Sequence, residues 1–171
     1  MSSKRLAVVL HGVKSLNQVP GLEAAGRDVE WRCAPTFDAL SEMLPGAEVL
    51  LGWDFRASEL RAAWGQADRL RWIQWSGAGV DALLFPELVS SHVVLTNARG
   101  VFDRAMAESV LGFMLSFAKG FTETFRAQAE RRWNYRWTEQ LMGREVLIVG
   151  VGSIGREIAR LLSAAGLKVQ G

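Results

Sequence analysis

The sequence has little of several features that would mark particular classes of protein. Its 171 residues include one cysteine, four prolines and two histidines. A single cysteine excludes an internal disulfide, and no cluster of cysteine and histidine has the spacing of metal ligands. The low proline content, beside 49% hydrophobic and 22% charged residues, excludes a disordered or collagen-like chain. The composition indicates a folded protein of one or two domains.

The sequence also lacks a long hydrophobic run and a large excess of charge. Its longest apolar stretch, around residues 110–118, is far shorter than the roughly 20 residues that span a bilayer. The apolar segment at residues 6–10 is too short for the hydrophobic part of a signal peptide. The formal net charge of +2 does not describe a polycationic surface. We therefore expect a cytoplasmic protein that binds neither a membrane nor nucleic acid.

Short apolar runs alternate with segments of helical character along the first hundred residues. Five such runs predict strands: Leu6–Leu10, Asp28–Trp31, Glu48–Gly52, Arg71–Trp75 and Val93–Leu95. The second run alternates apolar and polar residues, which favours a place near the sheet edge. Thr36 and Ser58 are candidate N-caps for the helical segments that lie between the strands. The alternation predicts βαβ units and a mostly parallel sheet.

The pattern changes after Arg99, where we place a domain boundary. Asp103 is the candidate cap of a long helix through Lys119, whose wide apolar face predicts burial on more than one side. Arginines and aromatic residues alternate in the next segment, 121–137, as they do in surfaces that stack nucleic-acid bases. Glutamates dilute that charge, so arginine side chains lying along an amphipathic segment explain the pattern more simply.

A glycine-rich turn follows the next predicted strand, residues 145–149. The turn reads G-x-G-x-x-G from Gly150 to Gly155 and leads into a helix, which Gly166 ends before another strand begins. In this setting Gly150 permits a tight turn, Gly152 lets a pyrophosphate approach the backbone, and Gly155 lets the helix pack closely on the strand. Amides at the helix start, including those of Ser153 and Ile154, would face the phosphates. The alternative is a tight turn that binds nothing.

The residue that would distinguish NAD from NADP has no counterpart in the sequence. An acidic partner for the ribose is expected about 20 residues after the first glycine of the turn. That place corresponds to Gln170 and Gly171 or to a position just beyond them. The sequence therefore predicts NAD or NADP as the cofactor without choosing between the two.

Three ordered blocks resemble the D-isomer-specific 2-hydroxyacid dehydrogenases, most closely the glyoxylate/hydroxypyruvate reductase branch. They are residues 72–81 (WIQWSGAGVD), residues 96–108 (from TNARGV to AE) and residues 143–155 (GREVLIVGVGSIG). The resemblance covers about the N-terminal half of such an enzyme. It implies a flavodoxin-like substrate domain, residues 1–98, followed by interdomain helices and the start of a Rossmann dinucleotide-binding domain, residues 99–171.

The resemblance also implies a reaction and a set of site residues. Enzymes of this family transfer hydride between a nicotinamide and a 2-oxo or D-2-hydroxy acid, usually as homodimers. The backbone amides of Gly77, Ala78 and Gly79 would hold the substrate carboxylate, and a loop of small residues after a strand can form such an anion-binding nest. The alternative for this loop is a plain turn. Met106 occupies a position that often touches the cofactor, although methionine is equally suited to a core.

No catalytic residue is predicted within this chain. The family's catalytic histidine and its carbonyl-polarising arginine match neither His11, His92 nor Arg99. We interpret His11 as a hydrogen-bonded turn histidine and His92 as solvated. We therefore expect the chain to be an inactive fragment of a larger enzyme. A second hypothesis is a non-catalytic interaction module that senses nicotinamide, as in the related transcriptional corepressors.

Overall fold

The computed structural model describes residues 5–55 and 59–171. Ser58, the candidate N-cap, and residues 1–4 lie outside the described residues. The chain divides into two compact units, Met1–Ala98 and Arg99–Gly171.

The first unit is built on a five-stranded parallel sheet. Its strands are β1 (Leu6–His11), β2 (Val29–Ala34), β3 (Val49–Gly52), β4 (Trp72–Trp75) and β5 (Val94–Thr96). Their order across the sheet is β2-β1-β3-β4-β5, and every neighbouring pair is parallel. This is the flavodoxin-like order, so the predicted α/β fold is confirmed. The second strand also lies at an edge, as its alternating pattern predicts.

Within residues 5–55 and 59–98, three α-helices and short 3-10 turns connect these strands. The helices are α1 (Phe37–Met43), α2 (Leu60–Ala63) and α3 (Pro86–Val89). Thr36 caps α1 as predicted, because its Oγ1 accepts a hydrogen bond from the Ala39 amide at 3.3 Å. The 3-10 turns span Leu16–Gln18, Leu22–Ala25, Trp64–Gln66 and Asp81–Leu83.

Apolar side chains cover both faces of this sheet. Alternate residues of β1 point to opposite faces, so Val9 joins one buried cluster with Leu50 and Ile73, whereas Val8 and Leu10 join another. Burial of both faces is typical of a parallel sheet and explains why its strands consist of nearly continuous apolar runs. The polar backbone at the strand ends is consequently where this unit can present groups to a ligand.

The second unit contains α4 (Asp103–Lys119), α5 (Phe121–Ala129), β6 (Glu145–Leu147), α6 (Ser153–Ala164) and β7 (Lys168–Gln170). The strands β6 and β7 form a parallel pair. β6 ends two residues earlier than predicted because its described partner, β7, reaches only to Gln170. The amide of Ile148 still donates to the Gln170 carbonyl at 2.8 Å.

Two predictions about α4 are wrong. Asp103 is the first residue of the helix rather than its cap, since Phe102 occupies the N-cap position and makes no side-chain capping bond. The helix is also not buried on several sides within its unit. It packs against α6, but Phe113 and Phe117 remain 68% and 86% exposed. Apolar periodicity predicts a face that can be covered, and the contacts of α4 with α6 and α5 cover only part of that face.

No helix within residues 5–55 and 59–171 has both the length and the apolar character needed to cross a membrane.

Candidate functional site

The glycine-rich turn joins β6 to α6 and places a row of amides at the start of the helix. Gly150 has a φ of 98°, a left-handed conformation that favours glycine. Gly152 is the N-cap of α6 with an extended backbone, and its carbonyl accepts the first helical bond, from the Arg156 amide at 3.0 Å. The amides of Ser153, Ile154 and Gly155 precede any helical acceptor and point out of the helix end.

Two glycines of this turn have opposite steric surroundings. A Cβ at Gly155 would lie 2.1 Å from the Gly150 carbonyl oxygen, so only glycine permits α6 to approach the turn this closely. A Cβ at Gly152 would have no atom within 4 Å. The chain therefore leaves open space over the backbone at Gly152, next to the helix amides. A pyrophosphate fits this cradle, since the positive end of the helix dipole favours an anion there.

The far end of α6 is fixed by the cap that the sequence predicts. Gly166 has a φ of 87°, and the Leu167 amide donates to the Leu162 carbonyl at 3.1 Å. This six-to-one bond is the hydrogen bond of a Schellman cap. Because the cap leads directly into β7, it sets the direction in which the chain returns along β6.

The first turns of α4 and α6 lie side by side. The Ser153 hydroxyl donates to the Asp103 carboxylate, with 3.2 Å between the oxygens. Arg104 reaches from α4 to Glu157 of α6, with 3.4 Å between nitrogen and oxygen. Hydrogen bonds from Arg160 and, to a smaller extent, from Arg104 lower the pKa of Glu157 to about 2. Met106, on the same stretch of α4, is 46% exposed.

The candidate carboxylate loop, Gly77–Gly79, follows β4 in the first unit. Two bonds from the segment after β5 hold it: the Ala98 amide donates to the Gly77 carbonyl at 3.1 Å, and the Asn97 side chain donates to the Ala78 carbonyl at 2.7 Å. Both bonds engage carbonyl groups of the loop and none of its amides. A Cβ at Gly77 would lie 2.9 Å from Cβ of Phe55, so this glycine allows the segment after β3 to pack closely on the loop.

Backbone and side-chain bonds also connect the neighbouring strand ends. The Ser76 hydroxyl donates to the Trp53 carbonyl at 2.6 Å, and the Trp53 amide donates to the His11 carbonyl at 3.0 Å. The carboxyl ends of β1, β3 and β4 thus form one connected edge beside the loop. No motif in the sequence points to Trp53 or Phe55. Their position directly after a parallel strand, next to the strand that carries the loop, is the signal that could have identified them.

His11 differs from its sequence interpretation. It is the last residue of β1 rather than a turn residue, its exposed fraction is 1%, and its Nδ1 has no hydrogen-bond partner among the described residues. Nε2 lies 3.5 Å from Oε2 of Glu59. Burial lowers the pKa of His11, while the charges of Glu59 and Asp54 oppose that shift. Burial therefore favours the neutral imidazole over the charged one.

Comparison with known proteins agrees with this geometry. Residues 111–171 match the family model described as "D-isomer specific 2-hydroxyacid dehydrogenase, NAD binding domain". A crystal structure of a D-isomer specific 2-hydroxyacid dehydrogenase family protein from Aeromonas salmonicida is 29% identical and has a TM-score of 0.82, over 98% of this chain and 53% of that one. The second unit is therefore similar to the NAD-binding domain of this family, and the whole chain is similar to one of its solved structures.

Two relatives with named activities are similar to parts of the chain. Glyoxylate reductase from Korarchaeum cryptofilum is 27% identical over 109 residues, which are 60% of this chain and 33% of the relative. Hydroxypyruvate reductase from Thermotoga maritima is 25% identical over 135 residues, which are 77% of this chain and 44% of the relative. The chain thus matches less than half of the length of each of these two relatives.

The predicted site residues lie in two places in the structure. Gly150, Gly152, Ser153, Ile154 and Gly155 lie together in one turn, and the predicted NAD or NADP cofactor is confirmed by the match of their unit to an NAD-binding domain. Met106 belongs to the same unit, whereas Gly77–Gly79 belongs to the other.

Proposed function

We propose that this chain is part of an NAD(P)-dependent oxidoreductase that transfers hydride between the nicotinamide and a small 2-oxo or D-2-hydroxy acid, of which glyoxylate and hydroxypyruvate are examples. One observation carries the proposal. The turn Gly150–Gly155 combines open space at Gly152 with close packing at Gly155, within a segment that matches an NAD-binding domain. The glyoxylate and hydroxypyruvate reductases among the relatives support the choice of substrates.

The second unit holds the cofactor in this proposal. The amides of Ser153, Ile154 and Gly155 bind the pyrophosphate at the start of α6, and Gly152 provides the space in which a phosphate can reach the backbone. The exposed side chain of Met106 contacts the cofactor from α4. A bound nicotinamide supplies or accepts the hydride, and these residues determine where the cofactor is held.

The first unit holds the substrate carboxylate. The amides of Gly77, Ala78 and Gly79 bind it, and the bonds from Ala98 and Asn97 hold the loop in shape through its carbonyl groups. A rigid loop positions the substrate without having to be ordered at the moment of binding. His11 has no role in proton transfer in this proposal, since it is buried beside Glu59.

We also propose that the complete protein is a homodimer. The exposed apolar side chains of α4 and α5, which include Phe113, Phe117 and Phe125, support this proposal because such patches are seldom left in contact with water.

The test is an assay of the complete gene product with glyoxylate and hydroxypyruvate, in the presence of NADH or NADPH. We expect oxidation of one nicotinamide, together with energy transfer from tryptophan to the bound reduced cofactor. Comparison of NADH with NADPH determines the preferred cofactor. If neither cofactor is oxidised and neither alters the tryptophan emission, the proposed function is wrong.

A further inference from the structure

We propose that Asp103 lowers the affinity of the Gly150–Gly155 turn for pyrophosphate-containing ligands and so limits how tightly the cofactor binds. The inference rests on the proposed function, because it concerns the same turn. It adds a residue, from a different helix, that determines affinity at this site.

The contact between the two helices carries the inference. Asp103 is the first residue of α4 and Ser153 is the first residue of α6, and the Ser153 hydroxyl donates to the Asp103 carboxylate across 3.2 Å. The ion pair of Arg104 with Glu157 joins the same two helices one turn further along. The carboxylate of Asp103 is consequently held at the end of α6 where the pyrophosphate is proposed to bind.

Charge is the first reason for a lower affinity. The amino end of a helix attracts anions. A carboxylate placed there carries the same sign of charge as a phosphate, so it repels the phosphates that approach the same amides. The nearest cation on α4 does not cancel this charge. Arg104 is already shared between Glu108, at 2.6 Å, and Glu157, at 3.4 Å.

The direction of the hydroxyl hydrogen is the second reason. Serine has one O–H donor, and in this structure that donor is directed to Asp103. A phosphate has no hydrogen to give at neutral pH, so it gains nothing from Ser153 until the bond to Asp103 is broken. With asparagine at position 103, the amide can donate to the Ser153 oxygen, and the hydroxyl is then free to donate to a phosphate. Removal of the Asp103 charge and release of the Ser153 hydroxyl should therefore both raise the affinity for phosphate.

The experiment compares two variants that each remove one negative charge from α4. Asp103→Asn removes the carboxylate beside Ser153, and Glu108→Gln removes the one that pairs with Arg104. Binding of ADP-ribose and of adenosine to the complete gene product is measured by calorimetry at low and at high salt. We expect Asp103→Asn to bind ADP-ribose about tenfold more tightly than the original protein at low salt, with a smaller gain at high salt. Glu108→Gln should stay within about twofold.

Adenosine distinguishes an effect on the phosphates from an effect on the rest of the site. Because it has no phosphate, its affinity should be the same in all three proteins. Ser153→Ala keeps the charge of Asp103 and should therefore show no gain in ADP-ribose affinity. If Asp103→Asn does not fold, Asp103→Ser is the second variant, and the same gain is expected.

Three outcomes decide the matter. Tighter ADP-ribose binding by Asp103→Asn, with or without measurable binding by the original protein, supports the inference. Measurable binding by the original protein that is unchanged or weaker in Asp103→Asn overturns the inference and leaves the proposed function intact. Absence of ADP-ribose binding in the original protein and in every variant contradicts both.

Discussion

The imidazole of His11 lies 3.5 Å from the carboxylate of Glu59, in the interior of the unit that contains the five-stranded sheet. Burial lowers the pKa of His11 despite the attraction of Glu59 and Asp54. A histidine whose pKa is lower in the folded state than in the unfolded chain binds its proton more readily after unfolding. Stability is therefore complete above the unfolded value, near 6.5, and is lost as the pH falls from there toward the folded value.

We predict that the free energy of unfolding of this unit decreases as the pH falls below about 6.5, and that His11→Asn reduces the decrease. One histidine can contribute a slope of at most about 1.4 kcal/mol per pH unit. Urea denaturation at pH 7.5 and at pH 5.5 measures the effect. His92→Asn is the control, because His92 is exposed and its replacement should leave the pH dependence unchanged. An identical pH dependence in His11→Asn would show that other groups are responsible.

Gly152→Ala should separate cofactor binding from folding. A Cβ at this position has no atom within 4 Å, so we expect the midpoint of thermal unfolding to change by no more than a few degrees. The same Cβ occupies the space through which a phosphate reaches the backbone, so NADH affinity should fall about tenfold or more. Fluorescence titration measures the affinity. Gly112→Ala on α4, where the added Cβ is equally free of contacts, should leave NADH affinity unchanged.

Gly155→Ala should damage the second unit itself. Its Cβ would lie 2.1 Å from the Gly150 carbonyl oxygen, so α6 must move away from the turn. We expect a loss of about 3 kcal/mol in unfolding free energy together with loss of NADH binding. Chemical denaturation of this variant beside Gly152→Ala provides the comparison. Equal stability of the two variants would contradict the close packing of α6 on the turn at Gly155.

Gly77→Ala tests the proposed carboxylate loop. The added Cβ would lie 2.9 Å from Cβ of Phe55 and 3.2 Å from the indole nitrogen of Trp75, which forces the loop or Phe55 to shift. We expect KM for the 2-oxo acid to rise about tenfold or more while the Kd for NADH stays the same. Gly65→Ala, whose Cβ meets no atom within 4 Å, is the control and should change neither constant. A rise in the Kd for NADH without a change in KM would reject the assigned role.

Local patterns predicted much of the first unit correctly. The apolar runs identified all five of its strands, the alternation in β2 indicated an edge, and Thr36 was recognised as the cap of α1. These features depend on contacts between residues close in sequence or on the two-residue repeat of a strand. They can therefore be predicted from one sequence. The glycine turn was recognised for the same reason, since the conformation at Gly150 and the close packing at Gly155 require glycine directly.

The errors concern relationships between residues that are distant along the chain. The local sequence predicts that Asp103 is a helix cap. In the folded unit it is the first helical residue, and it accepts a hydrogen bond from Ser153, fifty residues later. The local sequence predicts that His11 lies in a turn, but His11 is the last residue of a buried strand and lies beside Glu59. The exposure of α4 likewise depends on which elements pack against it. The spacing of its apolar residues predicts only which face of the helix can be buried.

The sequence alone therefore determined the individual strands, the glycine-rich turn and the resemblance to a known family. Each of these depends on neighbouring residues, whose size and backbone freedom follow from the residue type. Only the tertiary structure decided which charges face that turn and which side chains surround His11. Such proximity results from the packing of whole helices and strands, which brings α4 beside α6 and the end of β1 beside the start of α2.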